Sequence, residues 1–302
     1  MAAHSKRLIA VVALVLACGA SLPGSPGEPE GFAPQANTRT VTRIVSLVPA
    51  VTEMLFAIGA GPQVVAVSSY DDFPPQVKML PRVGALLDPD VERILTMRPD
   101  LVITYGSQTQ LESQMTRAGI TSFSYRHGGI TTVLDTLRDL GIVTGRTAEA
   151  ERAVREIRAR LDAVRARVQG RSRPRTLLVF ERQPKTLQQM YVSGGRGFLH
   201  EMLAAAGGVN VFADVDREAV QPSHETLLTR APDVILEVRA TGLIAASEVT
   251  QELNIWSALP SLPAVRNRRI HLLNDAYLVV PGPRLAIATE AFARALHPDA
   301  FR

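Results

Sequence analysis

A short phrase occurs twice in this chain, its first residues lying at 92 and 225, 133 residues apart. The first copy reads Glu92-Arg93-Ile94-Leu95-Thr96-Met97-Arg98-Pro99-Asp100-Leu101-Val102-Ile103, the second Glu225-Thr226-Leu227-Leu228-Thr229-Arg230-Ala231-Pro232-Asp233-Val234-Ile235-Leu236. Glu, Leu, Thr, Pro and Asp recur in register, and the last three positions stay aliphatic. Such a phrase predicts a short helix opened by Glu, broken at Pro and followed by a buried strand. Any α/β protein can place an x-Pro-Asp turn before a strand, but five identities exceed what turn chemistry demands. Two copies imply two lobes of similar build, and two facing lobes make a cleft. A solenoid needs more repeats than two.

The rest of the chain supports this division. Arg43–Val48 predicts a strand, and Pro49 then opens a helix, where its missing N–H costs nothing. Val51, Met54, Leu55 and Ile58 give that helix one apolar face, and Gly59 and Gly61 stop it before a strand at Val64–Val67. The alternation continues with helix Val91–Met97, strand Leu101–Thr104, helix Leu111–Ala118 and strand Ser122–Tyr125. Residues 147–169 contain neither Gly nor Pro and carry one stripe of Val154, Ile157, Leu161, Val164 and Val168, so they predict one long helix. Beyond it come strand Thr176–Phe180, helix Gly197–Ala206, strands Val234–Val238 and Ile270–Leu273, and helix Ala286–Leu296. Strands alternating with helices predict α/β lobes with open parallel sheets. The expected divisions are an N-terminal lobe at 42–145, an interlobe helix at 146–170 and a C-terminal lobe at 175–302.

The first residues predict an address. Lys6 and Arg7 precede an uncharged apolar run from Leu8 to Ala17, too short to span a bilayer, which takes about 20 residues, but suited to a signal peptide over 1–17. The run leads into Val15-Leu16-Ala17-Cys18-Gly19, which resembles the lipobox of bacterial lipoproteins, and Cys18 is the only cysteine of the chain. Lipidation of Cys18 is therefore expected, with a secretory peptide cleaved beyond it as the alternative. Residues 18–40 are rich in Gly, Pro and Ser and predict a flexible tether. An extracytoplasmic domain anchored to a membrane by lipid follows. The net charge of +4 comes from arginines interleaved with acids, which predicts a solvated surface and no nucleic-acid partner.

Signatures of catalysis are weak. The chain has no Gly-x-x-x-x-Gly-Lys-Ser/Thr loop and no Gly-x-Ser-x-Gly elbow, and its one cysteine belongs to the N-terminus. Histidines 127, 200, 224, 271 and 297 form no metal-ligand pair at helical spacing, so neither a metal nor a resident cofactor is expected. Gly194-Gly195-Arg196-Gly197 is an incomplete dinucleotide fingerprint, read as a tight turn with backbone N–H groups aimed into the cleft. In an open α/β sheet the ligand lies outside the carboxyl ends of the strands. That rule selects Tyr70, Leu86 and Tyr105 in the first lobe, and Tyr191, Asp275, Tyr277 and Arg284 in the second. Aromatic and apolar surface with one acid and one guanidinium suits a large, flat ligand with polar edges, although each tyrosine alone also fits ordinary rim packing.

These segments together resemble the cobalamin-type branch of the periplasmic binding proteins that serve ABC importers. Arg43-Ile44-Val45-Ser46-Leu47-Val48-Pro49-Ala50-Val51-Thr52-Glu53, Ser69-Tyr70-Asp71-Asp72-Phe73-Pro74-Pro75, the first copy of the repeated phrase with Val91, and Val192-Ser193-Gly194 carry the resemblance, which extends over 42–298. It implies two Rossmann-like lobes joined by a single long α-helix, the class III arrangement. It also implies a binding protein that makes and breaks no bond and hands its ligand to an ABC permease with a cytoplasmic ATPase. Glu92 and Glu225 match the glutamates with which family members dock on permease arginines, and Tyr70, Tyr105, Asp275 and Arg284 match ligand contacts. Cobalamin binders of this group often surround the corrin with tryptophans. Here Leu86 and Ala219 stand at two such positions, and the single tryptophan, Trp256, lies outside the matched motifs. Cobalamin or a related corrinoid is the expected ligand; haem and a ferric siderophore are the alternatives, for haem with Tyr70, Tyr105 or His127 as axial ligand. A metal-dependent cleft enzyme and a surface scaffold are the rival classes.

Overall fold

The computed structural model describes residues 41–239 and 246–302. The expected signal peptide, Cys18 and the tether lie outside the described residues. The described chain divides into two compact units, one of residues 41–127 and 131–156, the other of residues 128–130 and 157–302.

In the first unit, β1 (Ile44–Ser46) is followed by α1 (Pro49–Ala57), which has proline in its first turn as the sequence predicts. Then come β2 (Val64–Val67), α2 (Val91–Thr96), β3 (Leu101–Tyr105), α3 (Thr109–Arg117), β4 (Thr121–Tyr125) and α4 (Ile130–Thr144). The sheet order is β2-β1-β3-β4 and every pair is parallel. Because such a sheet is covered on both faces, β1 and β3 are buried along their whole length, and Val45, Ala66 and Val102 pack with Ile94, Leu111 and Met115 from the helices.

The long helix is α5 (Thr147–Val168), and the division between the units falls within it, after Glu156. Its predicted stripe, Val154, Ile157, Leu161, Val164 and Val168, is buried throughout.

The second unit contains β5 (Arg175–Glu181), β6 (Tyr191–Ser193), α6 (Gly197–Ala205), β7 (Val209–Asn210), β8 (Ala219–Val220), α7 (His224–Arg230), β9 (Val234–Val238), α8 (Ala246–Asn254), α9 (Pro263–Arg266), β10 (Ile270–Leu273) and α10 (Leu285–Leu296). Its sheet runs β10-β9-β5-β6-β8, with β7 beside β5. The β10-β9-β5 part is parallel, as expected, whereas β6 joins β5 and β8 joins β6 in antiparallel fashion.

The repeated phrase is one structure built twice. Asp90 caps α2 by accepting from Arg93 N–H at 3.0 Å, and Ser223 caps α7 by accepting from Thr226 N–H at 3.1 Å. Glu is thus the second helical residue rather than the first. Ile94 and Leu227, equivalent positions, are fully buried. Thr96 and Thr229 donate their hydroxyls to the carbonyls of Glu92 and Glu225, at 2.7 and 3.0 Å. Beyond each helix, just before the proline, stands a residue of positive φ: Arg98 at 48° and Ala231 at 44°. Arg43 and Arg175 each donate to the carbonyl of the residue before it, Met97 at 2.6 Å and Arg230 at 2.7 Å. Asp100 and Asp233 then clamp the neighbouring strand, each exchanging a backbone bond (2.8 Å) and a carboxylate bond with Arg43 or Arg175. These contacts balance a left-handed turn that costs a non-glycine residue about 1–3 kcal/mol.

Candidate functional site

In the first unit the three expected ligand residues are stitched together at the carboxyl ends of the strands. Tyr70 follows β2 in a turn and is exposed, its N–H donating to Ser68 Oγ at 3.2 Å. The turn is held from below by the buried Asp71, whose carboxylate accepts from Ser68 N–H at 2.9 Å and Ser68 Oγ at 2.6 Å. Arg82 braces the same turn by donating to the carbonyls of Ser68 and Asp71. Burial pushes the Asp71 carboxyl up to about 6, against the hydrogen bonds from Ser68 and Thr52 and the charge of Arg82. Ser69 N–H donates to Gly84 O at 2.7 Å and so ties the Tyr70 turn to the loop carrying Leu86. Gly84 has φ of +81°, and a side chain there would meet Asp88 O at 2.2 Å, so the sharp loop requires glycine.

Gln108 completes the link. It donates to Leu86 O at 3.1 Å and accepts from Tyr105 N–H at 2.9 Å, joining Leu86 to the end of β3. Sequence reasoning missed Gln108, since a lone glutamine three residues after Tyr105 carries no motif. Tyr105 is buried, more so than a rim residue, and packs in an aromatic group with Tyr125 (6.2 Å between centroids) and His127 (5.9 Å). Burial lowers the His127 imidazole to about 4, so it is neutral at pH 7, and its Nε2 is buried without a hydrogen-bond partner.

The second unit presents different chemistry. Asp275, Tyr277 and Arg284 come together after β10: Tyr277 Oη donates to Asp275 Oδ2 at 3.4 Å, and the Arg284 guanidinium lies 5.3 Å from the Tyr277 ring centroid. Burial, with the Asp275 charge, raises the Tyr277 phenol above its ordinary value. Tyr191 belongs to another group, half-buried at the start of β6, opposite Glu181 and 6.4 Å from Phe180.

The glycine turn corrects the sequence reading. Gly194, Gly195 and Arg196 donate their N–H groups to the carbonyls of Glu218, Val215 and Arg217, so these donors are spent on the neighbouring loop and offer nothing to a ligand. Glycine is needed for that closeness, because a Cβ at Gly194 or Gly195 would lie 2.1–2.2 Å from a carbonyl oxygen of Arg217 or Ala213.

A buried charge cluster at the ends of β5 and β9 was also missed. Arg182 contacts Glu237 at 2.8 Å and Glu252 at 2.7 Å; Arg239 contacts the same two carboxylates at 2.7 and 3.1 Å. Trp256, fully buried, donates its indole N–H to Glu237 at 3.2 Å, so the single tryptophan belongs to the core. Burial pushes the Glu252 carboxyl up, but the hydrogen bond and charge of Arg182 and the charge of Arg239 hold it below its ordinary value. The available signal was an acid within two residues of an arginine near the end of each aliphatic strand, Glu181-Arg182 and Glu237-Val238-Arg239.

Glu92 and Glu225 are exposed, at equivalent points of α2 and α7. Two surface depressions, of about 410 Å³ along α3 and about 620 Å³ beside Arg171, Arg269, His271 and His297, lie outside these loops. In the latter, Arg171 and Arg269 donate to the helix carbonyls of Arg167 and Leu296. Among the described residues there is no group of three His, Cys, Asp or Glu able to hold a metal ion, and no helix long and apolar enough to cross a membrane.

The periplasmic binding protein family matches residues 44–277, which include every strand among the described residues and both sets of strand-end loops up to Tyr277. The chain belongs to that family. Its members are binding proteins of ABC import and not enzymes, and this member is extracytoplasmic, with an ABC transporter as partner and a chelate as ligand class. The chain is 30% identical to the vitamin B12-binding protein of Salmonella typhimurium over 256 residues, 84% of this chain and 90% of that one. Among solved structures it resembles the periplasmic vitamin B12 binding protein BtuF of Vibrio cholerae, with a TM-score of 0.72, 27% identity and coverage of 87% of this chain and 98% of that one. It resembles equally the periplasmic heme-binding protein RhuT from Roseiflexus sp. RS-1, with a TM-score of 0.72, 29% identity and coverage of 86% and 99%. The two-lobe α/β class III fold expected from the sequence is therefore the fold of this family member.

Proposed function

We propose that this family member captures cobalamin or a related corrinoid and delivers it to an ABC permease. The similarity to the Salmonella vitamin B12-binding protein, which runs through both halves of the chain, carries this reading. Tyr70, Leu86 and Tyr105 supply an aromatic and apolar surface for the corrin. Tyr191, Asp275, Tyr277 and Arg284 supply hydrogen bonds and charge for its amide and phosphate edges. Glu92 and Glu225 dock on permease arginines, one from each unit. Cys18 carries the lipid that anchors residues 18–40 and the lobes to the membrane. The 42–145 and 175–302 lobes, with 146–170 as the helix joining them, are the working division of the molecule.

A second reading keeps the transport role and exchanges the corrinoid for haem. His127 favours it, being a neutral imidazole with an unpartnered Nε2 beside Tyr105. Calorimetric titration of the purified chain with cyanocobalamin, haemin and a ferric siderophore separates these readings. Tight one-to-one binding of cyanocobalamin is expected. Binding of haemin or siderophore instead moves the ligand and leaves the role; no binding of any of the three overturns the proposal. The anchor has its own test: Cys18→Ser is expected to shift the protein from the membrane fraction to the soluble extracytoplasmic fraction.

A further inference from the structure

The repeated phrase contains five identities, and the fold uses three of them. Thr96 and Thr229 bond back to the helix, Pro99 and Pro232 end it, and Asp100 and Asp233 clamp the strand. The other two identities, Glu and Leu, point outward in both copies. Leu95 is 40% exposed and Leu228 42% exposed, three residues after Glu92 and Glu225 respectively. Residues three apart in a helix share a face, so each unit carries the same small patch, a carboxylate beside a bare leucine. A single exposed leucine on a protein surface needs no explanation. The same exposed leucine at the same register in two otherwise divergent halves does, because neither the core nor the turn calls for it.

We propose that Leu95 and Leu228 are the apolar anchors of the permease-docking surface, each entering a hollow beside the cation that receives the neighbouring glutamate. This rests on the docking role given above to Glu92 and Glu225. It specifies the partner's chemistry: the permease offers the same receptor surface twice, a guanidinium or ammonium next to an apolar depression. Charge then provides attraction and register, while the leucine, leaving water only in the correct complex, gives the contact its residence time. The two sites on one chain act together, so loss of one anchor weakens the complex and loss of both removes the gain from simultaneous engagement.

The test uses the full chain and the host's vitamin B12-class permease with its ATPase, reconstituted in nanodiscs, with complex dissociation measured for wild type, L95Q, L228Q, L95Q/L228Q and E92Q/E225Q. Glutamine keeps helix propensity and removes the apolar contact. Each single leucine variant is expected to bind about tenfold more weakly, and the double variant about a hundredfold or worse, while thermal stability and cyanocobalamin affinity stay at wild-type values. The salt dependence of binding is expected to remain in L95Q/L228Q and to fall in E92Q/E225Q. If E92Q/E225Q weakens binding and L95Q/L228Q does not, the anchor inference is overturned and the docking reading stands. If neither variant weakens binding, the docking reading fails and the inference with it.

Discussion

The two units share a frame and differ at its business end. In both, a capped short helix, a left-handed turn before proline and an Asp clamp set a central buried strand beside its parallel neighbour. At the carboxyl ends of those strands the first unit holds an aromatic group, Tyr105, Tyr125 and His127, with an uncharged imidazole. The second holds a buried cluster of two arginines and two glutamates with Trp256. Backbone-level duplication therefore constrains the turns, where hydrogen bonds must be satisfied in one way. The strand ends, which the frame does not use, are free to take opposite chemistries.

The largest expected effect tests whether the charge cluster holds the second unit. Arg182→Met leaves Arg239 as the one cation in contact with Glu237 and Glu252, and removing one partner of a buried ionic group costs about 3–5 kcal/mol. Urea unfolding followed by the fluorescence of Trp256, the only tryptophan, reads the loss locally. A change below about 1 kcal/mol would mean that the cluster is dispensable and the contrast between the units cosmetic.

A smaller pair of effects sharpens what the units share. Asp100 accepts from Thr42 N–H, Thr42 Oγ1 and Arg43 N–H, whereas the Asp233 carboxylate accepts from Arg175 N–H. Asp100→Ala should cost about 2 kcal/mol and Asp233→Ala about 1 kcal/mol in denaturant unfolding. Equal costs, or none, would show that the clamp is a by-product of the turn and not its support.

The last effect concerns pH and two buried groups of the first unit. Asp71 has a raised folded value, about 6, so its contribution is present at low pH and is lost as pH rises from about 4 through 6. His127 has a lowered folded value, about 4, so its contribution is present at neutral pH and is lost as pH falls from about 6.5 through 4. The two slopes oppose each other in the same window. Relative to wild type, Asp71→Asn should lose stability faster on acidification and His127→Phe should lose it more slowly, as measured by melting temperature between pH 7 and 4. Parallel profiles for all three proteins would exclude burial of either group as a source of pH dependence.

Much of the frame was legible because it is written in local rules. Strands β2, β9 and β10 lie at the expected residues, and the stripe of α5 is the buried face. Helix α4 falls outside the alternation read from the sequence, although Val133, Leu134, Leu137 and Leu140 mark its buried side; Gly141 within it masks the pattern. Strands β6, β7 and β8, two or three residues each, have no period to read, and their pairing depends on neighbours far along the chain. The same holds for the site. Tyr70, Leu86 and Tyr105, the expected ligand residues, lie in strand-end loops that local pattern marks, but Gln108 and the Arg182 cluster act through partners up to 70 residues away.

The sequence by itself determined the duplicated helix–turn–strand, the alternation of buried strands with helices, the long Gly- and Pro-free helix and the family. Each follows from periodicity, turn chemistry or motif, all of them short-range properties of the chain. Only the tertiary structure decided that the Gly194–Gly195 amides are spent on a neighbouring loop and that Trp256 serves the core. It also decided that two identities of the repeat are left facing solvent. Hydrogen-bond satisfaction and exposure are properties of what a residue meets in space, and local sequence does not carry them.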